Sequence, residues 1–318
     1  MQVADLMNTC KDCGSAIPDG ERYCSCGAYV RVEPRPSHKD LLQLSRAGFL
    51  DALSEGIPLI FGNTIALWRE ANEISQIGSR RAVGILQALA EEEAAKILLL
   101  IDCLRCPPSR AKKFQALLRG FDRHLAKGIY ARYYDTSPCD LAEVRRIVDL
   151  ERRSVYREGD YGEYTAPNMI IHWRERRLYV SYVRNDDGSH SWQAPYPPDL
   201  LDGQATPSGV ITVVQSMNDL GLVAKTTLAE VAAYWQGIPF ESVESDPMQA
   251  DAAANISWGQ LREYNLKMFQ PGGVDFESGD ITAARRLIDR WLFPLYPFEL
   301  EPYGSIADLA PPESPDWY

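Results

Sequence analysis

The feature that most constrains this chain is the stretch from Ser79 to Arg105, where apolar residues recur at helical spacing around a charged block. At about 100° per residue, Val83, Leu86, Leu89, Ala90, Ile97, Leu100, Ile101 and Leu104 fall on one arc. Such a stripe must be buried against other elements. Glu93 falls inside the arc, with Glu92 and Lys96 beside it at i,i+4 spacing. A carboxylate on a core-facing stripe is costly unless it is paired. Glu93 is therefore expected to meet a buried cation or donor on a neighbouring helix.

The same periodicity extends on both sides. Helices are predicted near 38–54, 57–75, 79–105, 109–134 and 139–157. Breaks are expected at Gly56-Ile-Pro58, Gly78-Ser79, Pro107-Pro108-Ser109 and Thr136-Ser137-Pro138, where glycine, proline and capping residues interrupt the pattern. Composition then changes. Asn168–Trp173 and Arg177–Arg184 are rich in β-branched and aromatic residues, with Asn185-Asp-Asp-Gly188 as a turn, which predicts a short β-meander. Helices are predicted again at 208–220, 226–237, 257–269 and 281–292, followed by an extended Pro-rich acidic tail from Pro294 whose aromatic residues can dock. The expected class is mainly α. A small N-terminal unit (1–36) precedes a helical bundle (37–160) and an α+β C-terminal region (161–318).

The N-terminal unit is defined by Cys10-x2-Cys13 and Cys24-x-Cys26, with Gly14 and Gly27 after the second cysteine of each pair. Four clustered thiols followed by glycines fit a closed, tetrahedral structural zinc site, and so short a segment needs a staple to fold. The segment resembles a zinc ribbon, although its second knuckle is Cys-x-Cys rather than Cys-x2-Cys. Zinc ribbons dock proteins or nucleic acids, and nothing in these residues selects between the two. Cys103 and Cys106 have no second pair near them and read as core packing.

The segment Arg110–Arg132 carries seven basic residues (Arg110, Lys112, Lys113, Arg119, Arg123, Lys127, Arg132) against the single acid Asp122. The formal net charge of the chain is -11. From Glu241 to Tyr318 there are 14 acidic and 5 basic residues. An acidic protein with one basic helix either focuses a polyanion there or carries a solvated face. In the predicted helix 109–134, Phe114, Leu117, Leu118, Phe121, Leu125 and Ile129 make the core stripe. Arg119 and His124 project away from it, placed to line a groove or a dimer cleft.

RAVGILQALAEEEAAKILLL followed by KKFQALLRGFDRHLAKGIYA resembles the AbiV-type abortive-infection proteins of the HEPN superfamily. Arg81, Glu92, Glu93, Lys96, His124 and Lys127 fill that family's pattern, and LERRSVYREGDYGEYTAP, with Tyr156, resembles a later segment of it. The likeness covers about residues 38 to 170. HEPN ribonucleases carry Arg-x4-6-His, which Arg119-x4-His124 satisfies, with Gly120 where many members have a polar residue. The resemblance implies a HEPN-like bundle and RNA cleavage without a catalytic metal. The ribose 2′-OH would attack the phosphodiester, Arg119 would hold the phosphate and His124 would move a proton. A two-fold mate would supply the second pair. Glu92, Glu93, Lys96, Lys127 and Arg123 would support the site. It also implies an antiviral, toxin-like role with a phage-encoded activator or a translation component as partner.

The longest apolar runs are far shorter than the roughly 20 residues needed to span a bilayer, and MQVADLMNTCKDC lacks the pattern of a signal peptide. A cytoplasmic protein is expected. Two other readings remain: a non-catalytic HEPN module that binds a phage or translation protein, and a zinc-ribbon regulator that binds nucleic acid.

Overall fold

The computed structural model describes residues 8–9, 13–17, 25–26, 38–153, 155–158, 164–184, 188–195, 207–238, 240, 256–270 and 280–302. The chain divides into two compact units, Met1–His38 and Lys39–Tyr318. In the first, β1 (Asn8–Thr9) pairs antiparallel with β2 (Ala16–Ile17). Gly14 follows Cys13 at φ +72°, a left-handed conformation that glycine adopts at little cost.

The second unit is mainly helical. After a 3-10 turn (His38–Gln43) come α1 (Arg46–Gln76), α2 (Arg80–Arg105), α3 (Ala111–Arg119), α4 (His124–Tyr133) and α5 (Leu141–Glu151). A hairpin of β3 (Val155–Glu158) and β4 (Tyr164–Pro167) leads into α6 (Met169–Leu178), and a second hairpin joins β5 (Ser181–Arg184) to β6 (His190–Gln193). The last helices are α7 (Gly209–Asp219), α8 (Lys225–Gln236), α9 (Trp258–Met268) and α10 (Ile281–Arg290).

The hub is α2. It packs along α1 and also touches α3, α4, α6, α7 and α8, so the expected bundle and the helices beyond it share one unit. Residues Ile97 to Cys106 are all buried, which suits a helix surrounded on every side. That burial encloses two charges. Arg105 Nη1 donates to Asp102 Oδ1 at 3.1 Å and to the Leu292 carbonyl at 3.1 Å. Asp102 Oδ2 accepts from Tyr130 Oη and from the Leu295 backbone N–H, each at 2.7 Å. The Arg105 guanidinium lies 4.2 Å from the Trp235 ring centroid and 5.0 Å from that of Trp291, within cation–π range. Through these groups α2 grips the segment Trp291–Phe298, buried throughout. The expected tail thus docks as far as Leu300 and completes the core.

Several sequence expectations are corrected. The break at Gly56-Ile-Pro58 does not occur, and α1 runs through Pro58. An interior proline costs about 3 kcal/mol, offset here by buried Leu53 and Ile57. The single helix over 109–134 is instead α3 and α4, separated by a 3-10 turn at Gly120–Asp122. The stretch Asn168–Trp173, expected as a strand, starts α6. Asn168 caps it, accepting from Ile171 N at 3.1 Å while its Nδ2 donates to the Glu151 and Arg153 carbonyls. A cap so anchored overrides β-branched composition. The meander is two separate two-stranded hairpins. The predicted helix 139–157 ends at Glu151, and Tyr156 lies in β3.

Arg105→Met leaves Asp102 buried without its cation, and losing one partner of a buried pair typically costs about 3–5 kcal/mol. Urea unfolding of the variant is expected to show a loss of that order. A loss under about 1 kcal/mol would mean that the pair does not hold this core.

Candidate functional site

The junction of α2, α4 and α6 gathers most of the charged residues singled out in the sequence. Its centre is Glu92, not Glu93. Glu92 Oε2 receives His124 Nδ1 and Lys127 Nζ, each at 2.8 Å, and Oε1 receives Arg174 Nε at 3.0 Å. The carboxylate thus ties α2 to both neighbouring helices. Its side chain is 13% exposed and that of Lys127 only 7%, whereas the His124 ring is 44% exposed. With Nδ1 facing a carboxylate, the imidazole proton belongs on Nδ1, and Nε2 has no partner among the described residues.

Burial raises the Glu92 carboxyl, but bonds from Lys127 and His124 outweigh it and hold the group below the ordinary carboxylate value. On the preceding residue, burial joined by the Asp135 carboxylate pushes the Glu91 carboxyl up. Glu93 is corrected. It pairs with Lys96 on its own helix, one turn on, and Lys96 also lies over the Phe121 ring at 5.4 Å. The partner on a neighbouring helix belongs to Glu92, one residue and about 100° away.

Arg119 and His124 stand on opposite sides of the 3-10 turn. Arg119 ends α3, its Nε donates to the Gln115 carbonyl at 3.3 Å, and it lines a groove of about 310 Å³ with Arg123 and the segment Phe298–Glu301. Arg123 pairs with Glu301 at 2.6 Å. His124 opens α4 and engages Glu92 instead. The one-helix presentation expected for the Arg-x4-His pair is therefore corrected, because the chain turns at Gly120. This glycine is buried, where an added Cβ would press on Ala126 and Leu99.

Beside Glu92 opens a cavity of about 430 Å³ lined by residues of α2, α4 and α6. Its basic residues Arg174 and Arg177, with Trp173, come from a segment whose sequence reads as strand. The signal that could have found them is the helical spacing of Trp173, Arg174 and Arg177. Arg81 Nη2 reaches the Leu178 carbonyl at 3.2 Å, holding the end of α6 to the start of α2.

In the N-terminal unit, Cys13 and Cys26 are exposed and Cys13 Sγ donates to Ser15 Oγ at 3.3 Å. Cys10 and Cys24 lie outside the described residues. Among the described residues no three or more Cys, His, Asp or Glu stand together as a metal site, a set that contains only half of the four-cysteine cluster. Also among the described residues, no helix is long and apolar enough to cross a membrane. No family model, curated protein or solved structure matches this chain.

The depressed Glu92 value has a signed consequence. The folded state binds this proton less readily than the unfolded one, so the group's stabilisation is present above the unfolded carboxylate value and is lost as pH falls through the folded one. Glu92→Gln cannot titrate there. The difference in unfolding free energy between wild type and variant is expected to shrink as pH falls from 7 to about 3. A difference constant with pH in denaturant titrations would contradict this account.

Proposed function

We propose that this protein is a HEPN-type endoribonuclease of the AbiV-like abortive-infection class. The observation that carries the reading is the Glu92–His124 pair: a carboxylate fixes Nδ1 at 2.8 Å and leaves Nε2 of a partly exposed ring without a partner among the described residues. A ring so oriented suits proton transfer. In the proposed reaction His124 Nε2 takes the ribose 2′-OH proton and the O2′–P bond forms. The P–O5′ bond breaks, and the protonated His124 of a second copy gives its proton to the leaving O5′. Arg119 contacts the phosphate. It lines a different groove from His124 within one copy, so the two copies must face each other across their Gly120–Arg123 turns. Glu92 and Lys127 hold His124. Glu93 and Lys96 stiffen α2, and Arg123 borders the Arg119 groove. Activation by a phage-encoded protein or a translation component belongs to the same reading, as does a cytoplasmic location.

One observation favours a non-catalytic interaction module instead: Arg119 is bonded to its own helix and shares its groove with the chain's acidic Phe298–Glu301 segment. Purified protein incubated with RNA in EDTA separates the two. Cleavage lost at least 100-fold in His124→Ala and in Arg119→Ala, at unchanged melting temperature, is the expected result for the nuclease. No cleavage by the wild-type dimer or by a complex with an activator favours the module.

Cys10, Cys13, Cys24 and Cys26 are further proposed to hold one structural zinc ion. The hairpin of β1 and β2 and the left-handed Gly14 directly after Cys13 support this, because a backbone that curls after a cysteine exposes its amides to the thiolate. Metal analysis is expected to find one zinc per chain, lost in Cys13→Ser. A full zinc content in that variant would remove the assignment. The third reading, a zinc-ribbon regulator of nucleic acid, has no observation specific to it.

A further inference from the structure

The cavity beside Glu92 is built from three helices at matching spacings. From α2 come Ala88, Glu91 and Glu92, and from α4 come Gly128, Ala131 and Arg132. From α6 come Met169, Ile170, Trp173, Arg174 and Arg177. Each set follows the i, i+3/i+4 spacing of a single helix face. Small residues on α2 and α4 leave the space open. A Cβ on Gly128 would collide with Ile170 Cγ2, so α4 and α6 approach there as closely as glycine permits.

The lining carries three guanidinium groups against two carboxylates. Glu92 is bonded by His124, Lys127 and Arg174, and Glu91 feels the charge of Arg177. Arg132 is held by one bond, Nε to Glu151 Oε1 at 2.9 Å, and Arg174 by one bond, Nε to Glu92 Oε1. In each, the two terminal nitrogens have no partner among the described residues. Arg177 has neither a hydrogen bond nor an ion pair among them. Guanidinium groups fixed at Nε with open amino nitrogens are preorganised forks for phosphate oxygens. Between them, Trp173, Ile170 and Met169 provide an aromatic and apolar wall. The volume of about 430 Å³ lies within the ordinary range of small-molecule sites.

We propose that this cavity binds a nucleoside phosphate, with the phosphate on Arg132, Arg174 and Arg177 and the base against Trp173 and Ile170. The ligand is either a free nucleotide or one nucleotide of a single-stranded RNA. The inference stands on the cavity alone and holds whether or not His124 cleaves RNA.

The test is calorimetric titration of the full chain with the four nucleoside 5′-monophosphates, inorganic phosphate and a seven-nucleotide oligouridylate made uncleavable by 2′-O-methylation. Nucleotide binding should weaken at least about 10-fold in Arg177→Gln, a variant that breaks no described bond and should keep the wild-type melting temperature. Trp173→Leu should weaken nucleotides more than inorganic phosphate. An oligonucleotide that binds at least 10-fold more tightly than any monophosphate assigns the site to an RNA chain, and equal or weaker binding assigns it to a free nucleotide. No nucleotide or oligonucleotide binding at millimolar concentration overturns the proposal. So does binding unchanged in Arg177→Gln, or inorganic phosphate binding as tightly as the nucleotides.

Discussion

The buried pair Asp102–Arg105 is the interaction on which the rest of this molecule depends. Both groups sit on α2 where that helix is enclosed on all sides, so neither can be relieved by water. Beyond the pair itself, Asp102 accepts from Tyr130 and Leu295 and Arg105 Nη1 donates to the Leu292 carbonyl. A charged pair sealed in a core costs more to leave incomplete than to complete, so the chain beyond α10 must return to α2. Trp235, Trp291 and Phe240 close around the guanidinium. The C-terminal segment is thus part of the core, and the acidic Glu299 and Glu301 are delivered to Arg152 and Arg123.

The same helix presents a second charge to a different environment. Ten residues before Asp102, Glu92 faces α4 and α6, is only partly enclosed, and gathers three cations rather than one. The contrast is physical. Asp102 is fully buried, and desolvation pushes its carboxyl up despite Arg105 and the bonds from Tyr130 and Leu295. Glu92 is held below its ordinary value because Lys127 and His124 more than offset its burial. One helix therefore carries a structural carboxylate whose role is to close the fold and another that remains ionised at the surface of a cavity, next to a histidine.

What the sequence revealed follows from which interactions are local. Helical periodicity placed α2, α7, α8, α9 and α10 to within a few residues, because each has an apolar stripe long enough to read. Caps hid α6: Asn168 is an ordinary residue in a β-branched run until the carbonyls of Glu151 and Arg153 are found beside it. Glu93 and Glu92 differ by one residue and about 100°, finer than a stripe drawn over 27 residues can resolve. Asp102 and Arg105 were invisible as a buried pair, since charges three apart near a helix end resemble a solvated last turn. Two of their partners, Leu292 and Leu295, lie 187 and 193 residues away. Periodicity puts Arg119 and His124 on a single helix, and the turn at Gly120 that separates them depends on close packing against Leu99 and Ala126.

That separation changes where an anion can be met. The basic stretch Arg110–Arg132 looked like the natural surface for a polyanion, yet most of its charge is committed internally. Lys113 donates to the Pro297 carbonyl, Arg123 pairs with Glu301, Lys127 with Glu92, and Arg119 bonds its own helix. A carboxylate beside a cation offsets part of its attraction for a phosphate. Arg177 on α6 has no ion pair among the described residues, and it lines the cavity that Glu92 borders together with Arg132 and Arg174, each held through Nε alone. If nucleic acid reaches His124, the direction from which its phosphates approach is therefore set by α6 rather than by the helix whose sequence is most basic.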